Sequence, residues 1–242
     1  MSALPLTGPS TGEVHWPGHA VGQLGDVFDH PHVVLIPAGQ RRSTLVKGTT
    51  SPADVSRCPH LCHSIAPTAA NGLRKPGWMM GVALERTAGL HLRRPAGTLS
   101  ATELSAVRRV VALALGAGSG VGLHPGEATR GRIVRLALPM AKPEIEWAVI
   151  LTELTYSALG AYQVIVPLLD ATARTPSHAS VFVPSNVVQS ATVGALYQAF
   201  AAVELVQSVW HPKHVAELTT VTVPEADVDA IAQAAMTFLG VP

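Results

Sequence analysis

The stretch Thr98-Leu-Ser-Ala-Thr-Glu-Leu-Ser-Ala-Val107, which continues to Leu115-Gly116, recurs in related form at the end of the chain. The second copy reads Thr222-Val-Pro-Glu-Ala-Asp-Val-Asp-Ala-Ile231 and continues to Leu239-Gly240. The two copies align without a gap, and each places apolar residues at the spacing of one helix face. They therefore predict two equivalent amphipathic helices, one closing each half of a repeated chain.

Both helices carry start and stop signals. Ser100 can cap the first helix, and Glu103 three residues later completes a capping box. In the second helix Pro224 stands where a cap or first helical residue belongs. Gly116 and Gly240 stand where a glycine ends a helix. The sequence thus predicts where each helix begins and ends.

Short runs rich in β-branched residues precede each helix and predict strands. In the first half these runs are His32–Ile36, Ser43–Val46, Ser56–Ile65 and Trp78–Glu85. In the second half they are Ala148–Thr152, Tyr162–Val166, Ala179–Pro184 and Val203–Trp210. The extra segment Ser185–Phe200 has an Ala/Val/Gln-rich pattern that favours a helix. The fold class expected is mainly β with helices (α+β), in which each half is a small barrel closed by one C-terminal helix.

A glycine-rich stretch, Gly118-Ser-Gly-Val-Gly-Leu-His-Pro-Gly126, separates the halves and is typical of a flexible linker. It follows a predicted helix instead of a strand and lacks the Lys-Ser/Thr of a phosphate-binding loop. The predicted organisation is a first domain over residues 1–118, a linker over 119–129 and a second domain over 130–242.

Bulk composition bears on several classes of protein. Only 14% of the 242 residues are charged, the formal net charge is +1, and no basic run is present, so bulk charge neither supports nor excludes RNA binding. The polar N-terminal segment lacks the apolar core of a secretion signal. No apolar stretch reaches the roughly 20 residues that span a bilayer. Two cysteines make no disulfide framework. We expect a cytoplasmic protein without a metal or other cofactor and without a membrane partner.

Several motifs resemble those of the MazF/PemK (Kid-like) toxin family. The match is best at Gly97-Thr-Leu-Ser-Ala-Thr-Glu-Leu104, which resembles the family's closing helix. Arg130-Gly-Arg-Ile-Val134 is similar to its first strand, and Val149 to Tyr156 with Val164-Ile-Val-Pro167 is similar to its central hairpin. The resemblance implies two diverged copies of an SH3-like barrel packed as an intramolecular pseudo-dimer. It also implies metal-independent cleavage of single-stranded RNA.

The resemblance assigns site residues in the first half. The family's catalytic threonine falls on Thr49, and its arginine before proline falls on His30, a residue that can act as acid or base near neutral pH. Arg41 or Arg42 in the hairpin would then supply the missing positive charge. The residues implied in RNA binding are Lys47, Thr50 and Ser51.

The second half departs from the family pattern at each of these positions. Glu146 stands in place of the arginine, Trp147 in place of the proline, and Leu169 beside Asp170 in place of the threonine. A carboxylate facing a phosphate would repel it. The resemblance therefore implies at most one competent site, in the first half.

Other motifs have alternative interpretations. Thr49-Thr-Ser51 is equally typical of a turn, because hydroxyl side chains satisfy turn backbone groups. Cys58-Pro-His-Leu-Cys62-His63 contains four soft-metal ligands, although a strand would place Cys58, His60 and Cys62 on one face and His63 on the other. Small buried thiols are the favoured interpretation there, with metal binding or redox sensing as alternatives.

Aromatic and histidine residues are open to two interpretations as well. Tryptophans can stack on bases, but those adjoining predicted strands favour core or inter-half packing. His211-Pro-Lys-His214 can bind phosphate, although a proline-containing segment after a strand is typical of an exposed turn. The tryptophans are Trp16, Trp78, Trp147 and Trp210.

Three functional hypotheses follow. The first is a MazF-like toxin or growth inhibitor that cuts single-stranded RNA, with an antitoxin as a further partner. The second is a catalytically inactive toxin-fold protein, of phage or mobile-element origin, that binds and inhibits a host protein or nucleic acid. The third is a structural or DNA-associated module with an SH3-like fold. Further oligomerisation of the internal pair is left open.

Overall fold

The computed structural model describes residues 8–16, 30–37, 42–88, 95–116, 130–137, 145–152, 163–209 and 215–241, with only the backbone at Arg42, Arg57, Thr87 and Ala88. It contains two compact units, Met1–Val110 and Val111–Pro242. The first closing helix crosses this division, and the predicted linker lies outside the described residues. The domain boundaries inferred from sequence therefore stay a prediction.

The first unit is built on one antiparallel sheet. Its strands are β1 (Glu13–His15), β2 (His32–Ile36), β3 (Arg42–Thr49), β4 (Cys62–Ile65), β5 (Gly77–Ala88) and β6 (Gly97–Thr98). They lie in the order β4-β5-β3-β2-β1-β6. A short helix, α1 (Pro52–Arg57), and a 3-10 turn (Pro59–Leu61) connect β3 to β4, and α2 (Ala101–Ala114) follows β6.

The second unit repeats this plan. Its strands are β7 (Arg132–Leu136), β8 (Trp147–Ile150), β9 (Gln163–Asp170), β10 (Val181–Val183), β11 (Ala199–Ala201), β12 (Gln207–Val209) and β13 (Val215–Thr222). The antiparallel order is β10-β11-β9-β8-β7-β13, and β12 also pairs with β9. Helix α3 (Ser185–Thr192) precedes β11, a 3-10 turn (Val203–Leu205) precedes β12, and α4 (Glu225–Phe238) closes the unit. The predicted class, mainly β with helices, is confirmed.

Each unit has the same pattern of internal backbone hydrogen bonds at the start of its first strand. The Gly12 N–H donates to the Val34 carbonyl at 2.8 Å, and the Gly131 N–H donates to the Ile150 carbonyl at 2.8 Å. The carbonyl of each glycine then accepts a bond of 2.9 Å from the residue that leads into the closing helix, Leu99 or Val223. Both glycines adopt positive φ angles, +86° and +80°.

Strand pairing also matches across the units. Lys47 lies opposite His32 in the first sheet, as Pro167 lies opposite Ala148 in the second. The next strand in the order is interrupted at the equivalent place in both sheets. In the first sheet β5 pairs with β3 and carries a register shift, and in the second sheet two separate strands, β11 and β12, pair with β9. These registers define equivalent positions: His30 and Glu146, His32 and Ala148, Lys47 and Pro167, Thr49 and Leu169, Glu85 and Gln207.

The closing helices begin and end as predicted. The Ser100 N–H donates to the Glu103 carboxylate at 2.8 Å, and the Glu103 N–H donates to the Ser100 hydroxyl at 3.2 Å, which confirms the capping box. Gly116 and Gly240 follow the helices with φ angles of +98° and +63°. Pro224 occupies the cap position of α4. The helix signals are local, so the sequence alone defines them.

Two runs that were predicted as single strands contain helical turns as well as strands. The run Ser56–Ile65, predicted as one strand, contains the end of α1, a 3-10 turn and only the short strand β4. The reason is the cap: Ser51 accepts a bond from the Asp54 N–H at 3.4 Å, and Pro52 occupies the first helical turn. The run Val203–Trp210 likewise begins with a 3-10 turn, and Trp210 lies outside the described residues.

The helical prediction for Ser185–Phe200 holds for its first part only. Helix α3 ends because Val193 adopts a left-handed conformation (φ 51°, ψ 39°) before Gly194. The chain then enters β11.

Within the described residues, no helix has both the length and the apolar character needed to cross a membrane.

Candidate functional site

Three ionisable side chains meet on one face of the first sheet. His32 of β2 and Lys47 of β3 are directly opposite each other, and Glu85 of β5 is aligned with Leu45, which shares a face with Lys47. The His32 Nε2 atom lies 2.9 Å from Glu85 Oε2, and the Lys47 Nζ atom lies 3.9 Å from Glu85 Oε1. The His32 and Lys47 side chains are 7% and 10% exposed, whereas the Glu85 side chain is 40% exposed. We call these three residues the polar cluster.

Both ring nitrogens of His32 have hydrogen-bond partners. Its Nδ1 atom lies 2.9 Å from the His30 carbonyl oxygen, and its Nε2 atom lies 2.9 Å from the Glu85 carboxylate. The imidazole ring is therefore held between the backbone of its own segment and the side chain of β5.

The neighbours of Glu85 control its ionisation. Burial opposes the charged form, but the hydrogen bond and charge of His32, together with the charges of Lys47 and His30, outweigh it and lower the pKa of Glu85 below its usual value. The carboxylate is consequently ionised throughout the neutral range. Glu85 thus contacts both His32 and Lys47.

Thr49, the predicted catalytic residue, ends β3 next to this cluster and is 1% exposed. Its hydroxyl donates to Asp54 Oδ2 at 2.9 Å and accepts from the Ser51 N–H at 3.1 Å. These contacts tie β3 to the first turn of α1, which is the turn chemistry noted as an alternative. Thr50 and Ser51 are half-buried beside it.

Of the remaining predicted residues, His30 is brought to this corner and Arg42 is not. The Gly48 N–H donates to the Pro31 carbonyl at 2.7 Å, so the chain places His30 beside the end of β3 that carries Thr49. Arg42 begins β3, at the opposite end of the strand from Thr49. Arg41 lies outside the described residues.

Glycine is required at this corner for close approach. A Cβ at Gly48 would lie 2.9 Å from Pro31 Cγ and 3.0 Å from Met79 Sδ. The packing of β2 and β5 against β3 at this point therefore leaves no room for a side chain.

The second unit has apolar residues where the first has the polar cluster. Ala148 and Pro167 replace His32 and Lys47, Leu169 replaces Thr49, and all three are buried. Ala148 belongs to a core cluster with Ile150 and Ile165, while Leu169 packs with Phe200 and Ala202. The position of Glu85 holds the neutral Gln207.

The carboxylates predicted to repel RNA in the second unit are engaged locally. Glu146 accepts from Arg135 on the neighbouring strand at 2.6 Å, and both side chains are close to half exposed. Asp170 accepts from the Thr172 hydroxyl at 2.7 Å and from its N–H at 2.8 Å. These bonds lower the pKa of Asp170.

The cysteine motif is arranged differently from the predicted strand. Cys58 lies between α1 and the 3-10 turn, and Cys62 begins β4, with the two sulfurs 3.9 Å apart. His60 is exposed and His63 half-buried. Throughout the described ranges, no three His, Cys, Asp or Glu side chains are arranged to hold a metal ion.

The tryptophans have mixed environments. Trp147 is 8% exposed and Trp78 is half-buried. Arg74 lies over the Trp16 ring at 5.1 Å, a cation–π contact. The segment His211–His214, considered for phosphate binding, lies outside the described residues.

Sequence reasoning missed His32, Glu85 and Asp54 as members of this site. A usable signal existed, because His32 and Lys47 interrupt runs that are otherwise apolar and buried.

Comparison with models of known protein families gives no match for the chain, and comparison with curated proteins gives none either.

Proposed function

We propose that this chain is a toxin-type growth inhibitor, similar to MazF/PemK toxins, that cleaves single-stranded RNA without a metal. In this proposal the two units are diverged SH3-like barrels packed as an intramolecular pseudo-dimer. One functional site operates, in the first unit, around His30, Thr49 and the polar cluster. An antitoxin is a further expected partner.

The observation that carries the proposal is the difference between equivalent positions. Burying charged groups costs several kcal/mol per ion in order of magnitude, and apolar replacements are often neutral or stabilising. The second unit forms the same strand order with Ala148, Pro167 and Leu169 at these positions. The fold therefore does not need the charges, and their retention in the first unit favours a functional role.

RNA cleavage by this site requires a base for the 2'-hydroxyl, an acid for the leaving oxygen and positive charge for the phosphate. His30 is half-buried and carries acid–base chemistry suited to neutral pH. Lys47 supplies the positive charge that the resemblance had assigned to Arg41 or Arg42. Thr49 positions α1 and the adjoining hydroxyls through Asp54.

Glu85 has a specific place in this scheme. Its carboxylate contacts Lys47, the cation that a phosphate would need, so RNA must compete with it. Replacing Glu85 by glutamine should strengthen RNA binding several-fold, whereas replacing Lys47 by methionine should weaken it. A purely structural cluster would give no opposite effects on RNA affinity.

The test is cleavage of a long single-stranded RNA by the purified full chain in EDTA. Wild type should give discrete fragments, and His30→Ala, Thr49→Ala and Lys47→Met should give few or none. His60→Ala is the matched control, since His60 is exposed and lies outside the polar cluster. Circular dichroism of each variant verifies folding. Intact RNA with wild-type protein that still arrests growth would overturn the nuclease proposal.

A second candidate function is favoured by one observation in the second unit. Phe182, Val193 and Tyr197 are large apolar side chains with exposures of 59%, 93% and 68%. A groove of about 410 Å³ lies beside Phe182, lined by Pro184, Gln198 and other residues. These features fit an inactive toxin-fold protein that binds a host protein through apolar contacts.

The two candidates are separated by matched variants. If growth arrest depends on apolar binding, Phe182→Ser with Tyr197→Ser should abolish arrest while Lys47→Met retains it. If arrest depends on RNA cleavage, the dependence should be the reverse. Expression level and folding are measured for each variant so that loss of protein is recognised.

A further inference from the structure

The two cysteines of the chain form a close thiol pair. Cys58 Sγ and Cys62 Sγ lie 3.9 Å apart, so the sulfurs are nearly in van der Waals contact. A disulfide needs an S–S separation of about 2.0 Å, so the two sulfurs must approach each other by about 2 Å. The second unit has no cysteine, so the fold does not require this pair.

The surroundings of the pair allow that adjustment. Cys58 stands outside regular helix (φ −150°, ψ 57°), at the joint between α1 and the 3-10 turn. Cys62 begins β4, which is the edge strand of its sheet among the described strands and pairs with β5. Cys58 is 3% exposed, whereas Cys62 is half-buried and therefore the sulfur that an external reagent reaches first.

We propose that Cys58 and Cys62 are a redox modification site that forms a reversible intramolecular disulfide by exchange with small disulfides such as oxidised glutathione. Cys62, once it loses its proton, attacks one sulfur of the small disulfide, breaks that S–S bond and releases one small thiol. Cys58 then loses its proton and attacks the Cys62 sulfur, which releases the second small thiol. Two protein thiols are oxidised, one small disulfide is reduced, and the released thiolates take up the two protons.

The disulfide should be readily reduced. It would close a loop with only three residues between the cysteines, and short loops gain little stabilisation from cross-linking. Disulfides that are strained or partly exposed are the labile ones. Formation would act on α1, because the Cys58 thiol also donates to the Asp54 carbonyl at 3.8 Å. The modification is independent of whether the chain cleaves RNA.

The test uses the full wild-type chain, reduced, freed of reductant and then incubated with oxidised glutathione. Because the chain has only two cysteines, an intramolecular disulfide can join only this pair. Thiol titration should fall from two per chain to zero, and the intact mass should fall by two hydrogens. Non-reducing electrophoresis should show a monomer, and dithiothreitol should restore both thiols.

Cys62→Ser is the matched variant, and it should show either a free Cys58 thiol or a single glutathione adduct. Retention of both wild-type thiols under the same oxidation would overturn the proposal. Stable glutathione adducts on both cysteines of the wild type, or disulfide-linked dimers in place of the monomer, would overturn it equally.

Discussion

His32 on β2 bonds to Glu85 on β5 at 2.9 Å across an intervening strand, because β3 lies between them in the sheet. The side chain of Lys47, on the intervening strand β3, makes a second contact to the same carboxylate. One partly exposed glutamate therefore joins three neighbouring strands of the first unit.

Replacing Glu85 by glutamine should lower the free energy of unfolding at neutral pH. The substitution leaves the buried Lys47 ammonium group and the His32 ring facing a neutral amide, and we expect a loss of about 1 kcal/mol, reduced by the exposure of Glu85. Chemical denaturation of both proteins at pH 7 measures it. Glu217→Gln is the control, since Glu217 is exposed on β13 and should change stability little.

The difference between wild type and Glu85→Gln should also depend on pH. The pKa of Glu85 is lowered in the folded state, so its contribution is fully present above the unfolded carboxyl pKa of about 4.3. As the pH falls through the folded pKa, the carboxylate is protonated and the difference should shrink. Unfolding curves at stepwise lower pH measure this, and a difference that grows under acid would contradict the assignment.

Ser100→Ala should destabilise the first unit by about 1 kcal/mol, because it removes half of the capping box with Glu103. Glu103 also accepts from the buried Asn71 amide at 3.2 Å, so the cap holds a loop as well as the helix. Ser105→Ala, exposed within the same helix, is the control and should be neutral or slightly stabilising. Equal effects of the two substitutions would mean that the cap contributes nothing.

Gly97→Ala should be among the more damaging single substitutions in the first unit. A Cβ there would lie 2.3 Å from the Ala70 carbonyl oxygen and 2.4 Å from the Asn71 carbonyl carbon, both backbone atoms. We expect a loss of about 2–3 kcal/mol from overpacking. Gly194→Ala meets no atom within 4 Å and carries only the strain of φ +80°, so it should cost less. Thermal unfolding of both variants compares the two effects.

Val193→Gly should raise the stability of the second unit. Val193 ends α3 in a left-handed conformation that is unfavourable for a β-branched residue, and it is 93% exposed, so little packing is lost. The gain should be about 0.5–1 kcal/mol after the extra freedom of glycine in the unfolded chain is counted. Val187→Gly in the same helix should have the opposite sign. A lower melting temperature for Val193→Gly would show that the conformation is not strained.

Local signals explain how much of the fold could be predicted. Ser100 with Glu103, and the glycines after each closing helix, act within one or two turns, and the helices begin and end where the sequence predicts. The signals for α1 were equally local: Ser51 precedes Pro52 as a cap precedes a first turn. They were overlooked because the following residues were interpreted as the start of a strand.

The polar cluster could be predicted only in part, because its members are brought together by the sheet. His32 and Glu85 are separated by 53 positions in sequence, and their contact depends on the order β5-β3-β2 and on strand register. Lys47 was predicted from the family resemblance as an RNA contact, a role that stays a prediction. Thr49 was also assigned by resemblance, whereas its bond to Asp54 depends on a helix that the sequence analysis did not predict.

The matching registers of the two units have a consequence for folding. A nascent chain that contains two sets of strands with the same order can pair a strand of one set with the partner of the other, a failure typical of tandem repeats. Such a mispaired hairpin would set Lys47 against Ala148, or Pro167 against His32, and in the second case the buried His32 would lose the Glu85 carboxylate that it contacts in the native sheet. We therefore expect the divergence between the polar cluster and its apolar counterpart to penalise misassembly of the two halves.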